Sequence, residues 1–141
     1  MSIIYKQSND YNCGTTALAQ LLSLSGYQEY TPEAIEDCIT PHPETGTSHL
    51  QLCEFLRYEG FSYQHGTPDI YTLRLPMLVN YSPDGEGHYG VVTRMNFNSE
   101  QVRLLDPADG RAVNLPIRKF LSIWYSSRYG KEWGLWDLRK V

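Results

Sequence analysis

The sequence predicts an α+β fold, with N-terminal helices packed on a C-terminal antiparallel sheet. Three observations carry this. Apolar residues recur at helical spacing through the first sixty positions, between recognisable caps. From about residue 75 the pattern changes to short β-prone runs separated by turn residues. The chain has 141 residues, and no repeat, low-complexity stretch or interdomain linker interrupts it, so one domain spanning 1–141 is expected. Helices first and strands second is the signature of segregated α and β layers.

Each element has a local reason. Ala17, Leu18, Leu21 and Leu22 follow Cys13 at helical spacing, and Gly26 is a stop. Thr31-Pro32-Glu33 reads as an N-cap, a first-turn proline and a first-turn acid, opening a short helix to about Ile39 before Pro41-His42-Pro43 breaks it. Ser48 caps a third helix carrying Leu52, Cys53 and Leu56 and ending at Gly60. His65, before Gly66, reads as a loop residue. Leu75 to Tyr81 is apolar and β-prone, and residues 82–87 form a glycine-containing loop expected to be a mobile rim. His88–Met95 and Gln101–Asp106 read as a hairpin. A short strand over Ala112–Asn114, a helix from Pro116 to about Ile123 and a last strand over Trp133–Leu138 follow, with Trp133 and Trp136 as core anchors.

Composition narrows the classes. Hydrophobic residues make up 41% and charged residues 20%, near the globular average, which excludes a disordered, collagen-like or coiled-coil chain. The net charge of −4 argues against a nucleic-acid binder. No apolar run approaches the roughly 18 residues of a membrane span. The first residues lack a basic start and an apolar stretch, so no secretory signal is expected. Three cysteines, an odd number, make no disulfide scaffold, and a reducing cytoplasm is the expected compartment. Acids concentrate between 29 and 69, where Arg57 is the lone base; this reads as a solvated helical face or a surface attracting basic substrates. The 11 tyrosines suit a well-filled core and a peptide groove.

Four positions form a chemical constellation: Gln7, Cys13, His88 and Asp106. Cys13 stands where the irregular segment Asn9-Asp10-Tyr11-Asn12 meets a helix, and a helix N-terminus stabilises a thiolate. His88 begins a strand, a good place from which to project an imidazole. If the hairpin turn centres on Asn98, facing residues sum to about 196, and Asp106 becomes a diagonal neighbour of His88 on one face. The carboxylate then fixes the ring's tautomer and orientation. Gln7, six residues before the thiol, supplies a side-chain donor to an oxyanion beside the Cys13 backbone N–H. Asn12, Gly14 and Gly87 are the expected substrate-binding neighbours. A rival cluster, Cys38, His42, His49 and Cys53, matches no common zinc spacing, and its bland reading is two buried thiols near a capping loop. No metal and no cofactor are expected.

The sequence resembles the bacteriocin-processing cysteine peptidases, cysteine peptidase family thirty-nine of the papain-like superfamily. The resemblance is carried by Gln7 with Tyr11-Asn12-Cys13-Gly14-Thr15-Thr16-Ala17-Leu18, by His88-Tyr89-Gly90-Val91-Val92 and by Leu105-Asp106-Pro107-Ala108-Asp109-Gly110, with Gly46-Thr47-Ser48 opening a helix between them. It spans roughly residues 4 to 138. It implies a papain-like fold, with Cys13 as nucleophile, His88 as base and acid, Asp106 as orienter and Gln7 as oxyanion donor. Members often carry an acid before the cysteine; here Asn12 stands there. The best-known members are joined to an exporter and cut leaders after paired glycines; for this chain no fused exporter is expected. Some relatives lose the cysteine and become binding modules, whereas this chain keeps all four positions. The implied function is a cysteine peptidase acting on a peptide or protein through a Cys-His-Asp triad and a thioester. The alternatives are an acyl transferase or amidase of the same fold, or a non-catalytic peptide-binding module. A monomeric state is compatible with all of these.

Overall fold

The computed structural model describes residues 3–69, 73–83, 87–125 and 132–141. Helix α1 (Cys13–Leu24) is buried from Gly14 through Leu22, so it is a central helix rather than a surface one. Ser25 closes it by donating its backbone N–H to Leu21 and Leu22, and Gly26 takes φ +98 immediately after. Helix α2 (Pro32–Glu36) opens as the sequence requires, with the Thr31 hydroxyl accepting from the Ala34 N–H at 3.2 Å. It stops three residues before the expected Ile39. The N–H groups of Cys38 and Ile39 both turn back to the Ile35 carbonyl, which tightens the end into a turn. Helix α3 (His49–Tyr58) carries a full capping box between Ser48 and Gln51.

Among the described residues, six strands form one antiparallel sheet. They are β1 (Phe61–Gly66), β2 (Met77–Tyr81), β3 (His88–Asn96), β4 (Gln101–Asp106), β5 (Arg111–Pro116) and β6 (Trp133–Lys140), in the spatial order β1-β6-β2-β3-β4-β5. Strand β1 corrects the loop reading of His65, which pairs with Leu135 of β6. It lies at the sheet edge and only Phe61 is buried in it, so its sequence carries little alternation. β5 is longer than expected at both ends, and β6 runs on to Lys140. Helix α4 (Ile117–Tyr125) follows β5 directly.

Both faces of the sheet are covered. Leu18, Leu22, Leu52 and Leu56 pack with Leu78, Val91 and Leu135 on the α1 side. Phe120 and Trp124 of α4 pack with Met77, Val79, Val92 and Leu104 on the other. β2 is therefore buried at every position, which explains why it reads as an unbroken apolar run. Truncating a fully buried leucine such as Leu78 to alanine is worth roughly 2–5 kcal/mol of stability. Trp133 belongs to the first core, while Trp136 is only partly buried against the second.

The β3–β4 register sets the active end of the sheet. Val91 faces Leu105 and Val92 faces Leu104, then the register shifts so that Arg94 faces Arg103. The bulge at Thr93 lies on the far side of Val92 from His88, so pairs near the site keep the sum of 196. Among the described residues, no helix is long and apolar enough to cross a membrane.

Candidate active site

Three strand ends meet one helix start. Tyr81 ends β2, His88 begins β3 directly opposite it, and Asp106 ends β4. Cys13 is the first residue of α1, which packs across β3. The sheet register therefore delivers His88 and Asp106, and the helix delivers the thiol.

His88 Nε2 lies 3.0 Å from Asp106 Oδ1. The same carboxylate oxygen accepts the Ala108 N–H at 2.9 Å, which anchors Asp106 while it faces the ring. The imidazole also shares a hydrogen bond with the Cys13 thiol. With Nε2 committed to Asp106, the second ring nitrogen is the one left for sulfur. Burial opposes a charge on His88, but the hydrogen bonds to Asp106 and Cys13 outweigh it and push the imidazole up to about 9. Asp106 is held below the usual carboxylate range, first by the His88 hydrogen bond, against burial, with help from the Ala108 N–H. At neutral pH the ring is thus an imidazolium, the state that pairs with a thiolate.

Cys13 is half-buried and lines the cleft. Cys53 is buried, and burial pushes its thiol up. Cys38 was expected to be buried; it is exposed, because α2 ends before reaching it. Among the described residues no three His, Cys, Asp or Glu side chains gather where they could hold a metal ion.

Gln7 is tied to the Asp106 turn through its backbone, its N–H donating to the Pro107 carbonyl at 2.8 Å. Its side-chain amide donates to the Asn9 carbonyl at 2.8 Å, and Oε1 is buried without a partner. Asn12 faces inward: Oδ1 accepts the Asn9 N–H, and Nδ2 donates to Ser8 and Glu36, each at 2.7 Å. Its side chain makes no cap on α1, because these bonds hold it in the N-terminal segment. Gly14 is packed tightly, since a Cβ there would stand 3.2 Å from both Thr47 and the Tyr89 ring. Gly87 lines the cleft on both sides of Cys13. Residues 84–86 of the expected rim lie outside the described residues.

The cleft has two lobes. One, of about 370 Å³, runs from Cys13 past Asp10, Tyr11, Glu44, Thr47 and Tyr89. The other, of about 410 Å³, runs past His88 and Asp106 over Leu104, Val113, Leu115 and Ile123, with Lys119 also in its wall. The first lobe contains the loop Pro43–Thr47, whose tight closure is a bridge between His42 and Gly46. Sequence reasoning missed that wall, and it missed Tyr81. The second was within reach, because the residue opposite a strand-initial histidine is its nearest cross-strand neighbour.

Known proteins place this arrangement. The profile of the peptidase C39 family matches residues 2–127. The peptidase domain of Streptococcus ComA, a bifunctional ABC transporter involved in a quorum-sensing pathway, superposes with a TM-score of 0.79 at 19% identity, over 100% of both chains. A double glycine motif protease from an AMS/PCAT transporter, crystallised with its leader peptide, superposes at 0.73 and 18% identity over 98% of this chain and 91% of that one. The peptidase C39-like domain of a toxin secretion ATP-binding protein from Vibrio parahaemolyticus superposes at 0.64 and 14% identity, over 96% of this chain and 100% of that one. No curated protein sequence matches. The shared fold is the papain-like one, helices on an antiparallel sheet, and with the family profile spanning most of its length the chain belongs to the peptidase C39 family and is a cysteine peptidase.

Proposed function

We propose that Cys13, His88 and Asp106 act as a catalytic triad that hydrolyses a peptide bond through a thioester. The observation that carries this reading is the position of one imidazole, bonded to a carboxylate at 3.0 Å and to the thiol of a helix-initial cysteine. The Cys13 sulfur attacks the scissile carbonyl and its proton resides on His88. His88 then protonates the departing amine, the C–N bond breaks and the thioester remains. Water, deprotonated by His88, attacks the thioester and releases the acid and the thiolate. Asp106 keeps the ring oriented throughout. Backbone N–H groups at the start of α1 hold the oxyanion, and the Gln7 amide joins them by exchanging its bond to Asn9 when a substrate carbonyl arrives.

The substrate in this reading is a peptide with small residues before the scissile bond. The support for that is a structural neighbour, a double glycine motif protease in complex with the leader peptide. The whole of 1–141 acts as one domain, and three free cysteines suit a reducing cytoplasm. The test is a set of leader-like peptides ending in Gly-Gly or in Val-Val ahead of a reporter, assayed with wild type and Cys13→Ala. Cleavage after the glycines alone, absent in Cys13→Ala, with an electrophilic peptide adduct at Cys13 by mass spectrometry, is the expected result. Cleavage that survives in Cys13→Ala overturns the triad, and equal cleavage after valines overturns the small-residue preference.

A further inference from the structure

Tyr81 is the residue of the cleft that the triad leaves unexplained. It pairs with His88 across the β2–β3 ladder. Its ring stands edge to face against the imidazole, with centroids 5.4 Å apart and planes at 90°. It is 3% exposed, and its hydroxyl is buried without a hydrogen-bond partner. Space for the ring comes from Gly90, where a Cβ would stand 3.0 Å from Tyr81 Cε1 and equally close to the Leu105 carbonyl. Two neighbouring positions are thus shaped around this one contact.

We infer that Tyr81 is a positioning residue for His88, acting through its ring, which fixes the tilt of the imidazole and keeps water from its bonds to Asp106 and Cys13. The inference rests on the proposed triad. Hydrogen bonds at the two ring nitrogens leave the imidazole free to tilt about the line joining their acceptors. A perpendicular aromatic neighbour removes that freedom. The groups facing His88 are Cys13 from α1, Tyr81 from β2 and Asp106 from β4, and Asp10 and Lys119 share the same cleft. Tyr81 itself stays a neutral phenol, pushed well above the usual tyrosine range by burial and then by Asp106 and Cys13. With water admitted, the burial that lowers His88 and the bonds to Asp106 and Cys13 that raise it both weaken, so its titration leaves about 9.

The experiment compares Tyr81→Phe, Tyr81→Leu and Gly90→Ala on a cleaved peptide, with the His88 titration followed by NMR. Tyr81→Phe keeps the ring and should hold kcat within about threefold, with an equal or higher Tm because an unpartnered buried hydroxyl is gone. Tyr81→Leu should lower kcat about tenfold or more at nearly unchanged KM, the scale of a small misplacement of a reacting group, and change the His88 titration. Gly90→Ala displaces the ring without deleting it and should shift both readouts the same way. Unaltered kcat and titration in Tyr81→Leu overturn the inference; should that variant not fold, the same result in Gly90→Ala does so. A Tyr81→Phe variant as impaired as Tyr81→Leu also overturns it, since the hydroxyl would then carry the effect. His88→Ala separates the two levels: turnover surviving in that variant sinks the triad itself, whatever the Tyr81 variants do.

Discussion

The two halves of the cleft are assembled by different means. His88 and Asp106 stand on adjacent strands whose pairing is fixed by buried residues, Val91 against Leu105 and Val92 against Leu104. Their side chains meet at 3.0 Å. Gln7 arrives on an irregular segment held by hydrogen bonds within residues 7–12, by the Asn12 bond to Glu36 and by one backbone bond to Pro107, and its amide rests on Asn9. A register imposed by two cores leaves a pair of side chains little choice, because a slip by one residue would exchange the two faces and unmake the packing of both cores. The Gln7 amide, by contrast, is held by one exposed hydrogen bond to a residue two positions away. The His88–Asp106 pair is therefore preassembled, whereas in the proposed reading the Gln7 amide reaches the oxyanion by leaving Asn9.

Removing the preassembled side should have the largest effect. His88→Ala and Cys13→Ala are each expected to lower kcat by about 10⁴-fold or more, measured on a peptide that the wild type cleaves, because the two groups act as one unit. Combining them should add little. Two losses that multiply would show that the pair is not a unit.

Gln7→Ala tests the other half. The expected loss is about 10²–10³-fold in kcat, the range for one oxyanion donor, with KM nearly unchanged. Alkylation of Cys13 by iodoacetamide should persist, because the His88 bond to the thiol does not involve Gln7. Unchanged turnover would leave Gln7 as a brace of the N-terminal segment and the oxyanion to backbone N–H groups alone.

Asp106→Asn is the milder probe of the base side. The amide oxygen can still accept from His88 Nε2, as in papain-like enzymes that use asparagine, so a smaller loss than for His88→Ala is expected. The charge that helps raise His88 is gone, so the alkaline limb of the kcat/KM profile should move to lower pH. An unmoved limb would assign that limb to another group.

The same contrast explains what was legible in the sequence. Caps and stops at Thr31, Ser48 and Gly60 are local, and the helices follow them. The His88–Asp106 pairing could be counted from the hairpin, because period two and a fixed turn leave one answer. Strand β1 was hidden because an edge strand buries little and so shows no alternation. Cys38 was misplaced because the end of α2 depends on a turn that composition does not encode. The inward rotation of Asn12 depends on Glu36, which lies 24 residues away. Tyr81 could have been found as the residue opposite His88, whereas the Pro43–Thr47 wall needed the packing of α1, which is a tertiary fact.

The smallest expected effect is on stability. The folded-state pKa of His88, about 9, stands above its ordinary 6.5, so its contribution is fully present below 6.5 and is lost as pH rises through 9. Between those values the folded chain holds a proton that the unfolded chain has released, and Tm should fall steadily with rising pH. Asp106 has the opposite sign: its folded value is depressed, so its contribution is present above 3.8 and is lost as pH falls through that lower value. The window closes at 9, because Cys53, pushed up from that value by burial, adds a loss of the same direction beyond it. His88→Ala should therefore flatten the Tm profile between pH 6.5 and 9 while leaving the decline above 9 in place. The slope belongs jointly to the imidazole and the Cys13 thiol bonded to it, since coupled groups titrate as a pair, and Cys13→Ala should remove only part of it. If His88→Ala keeps the wild-type slope across this window, the proton uptake lies elsewhere, and the hydrogen bonds on this ring do not hold it charged at neutral pH.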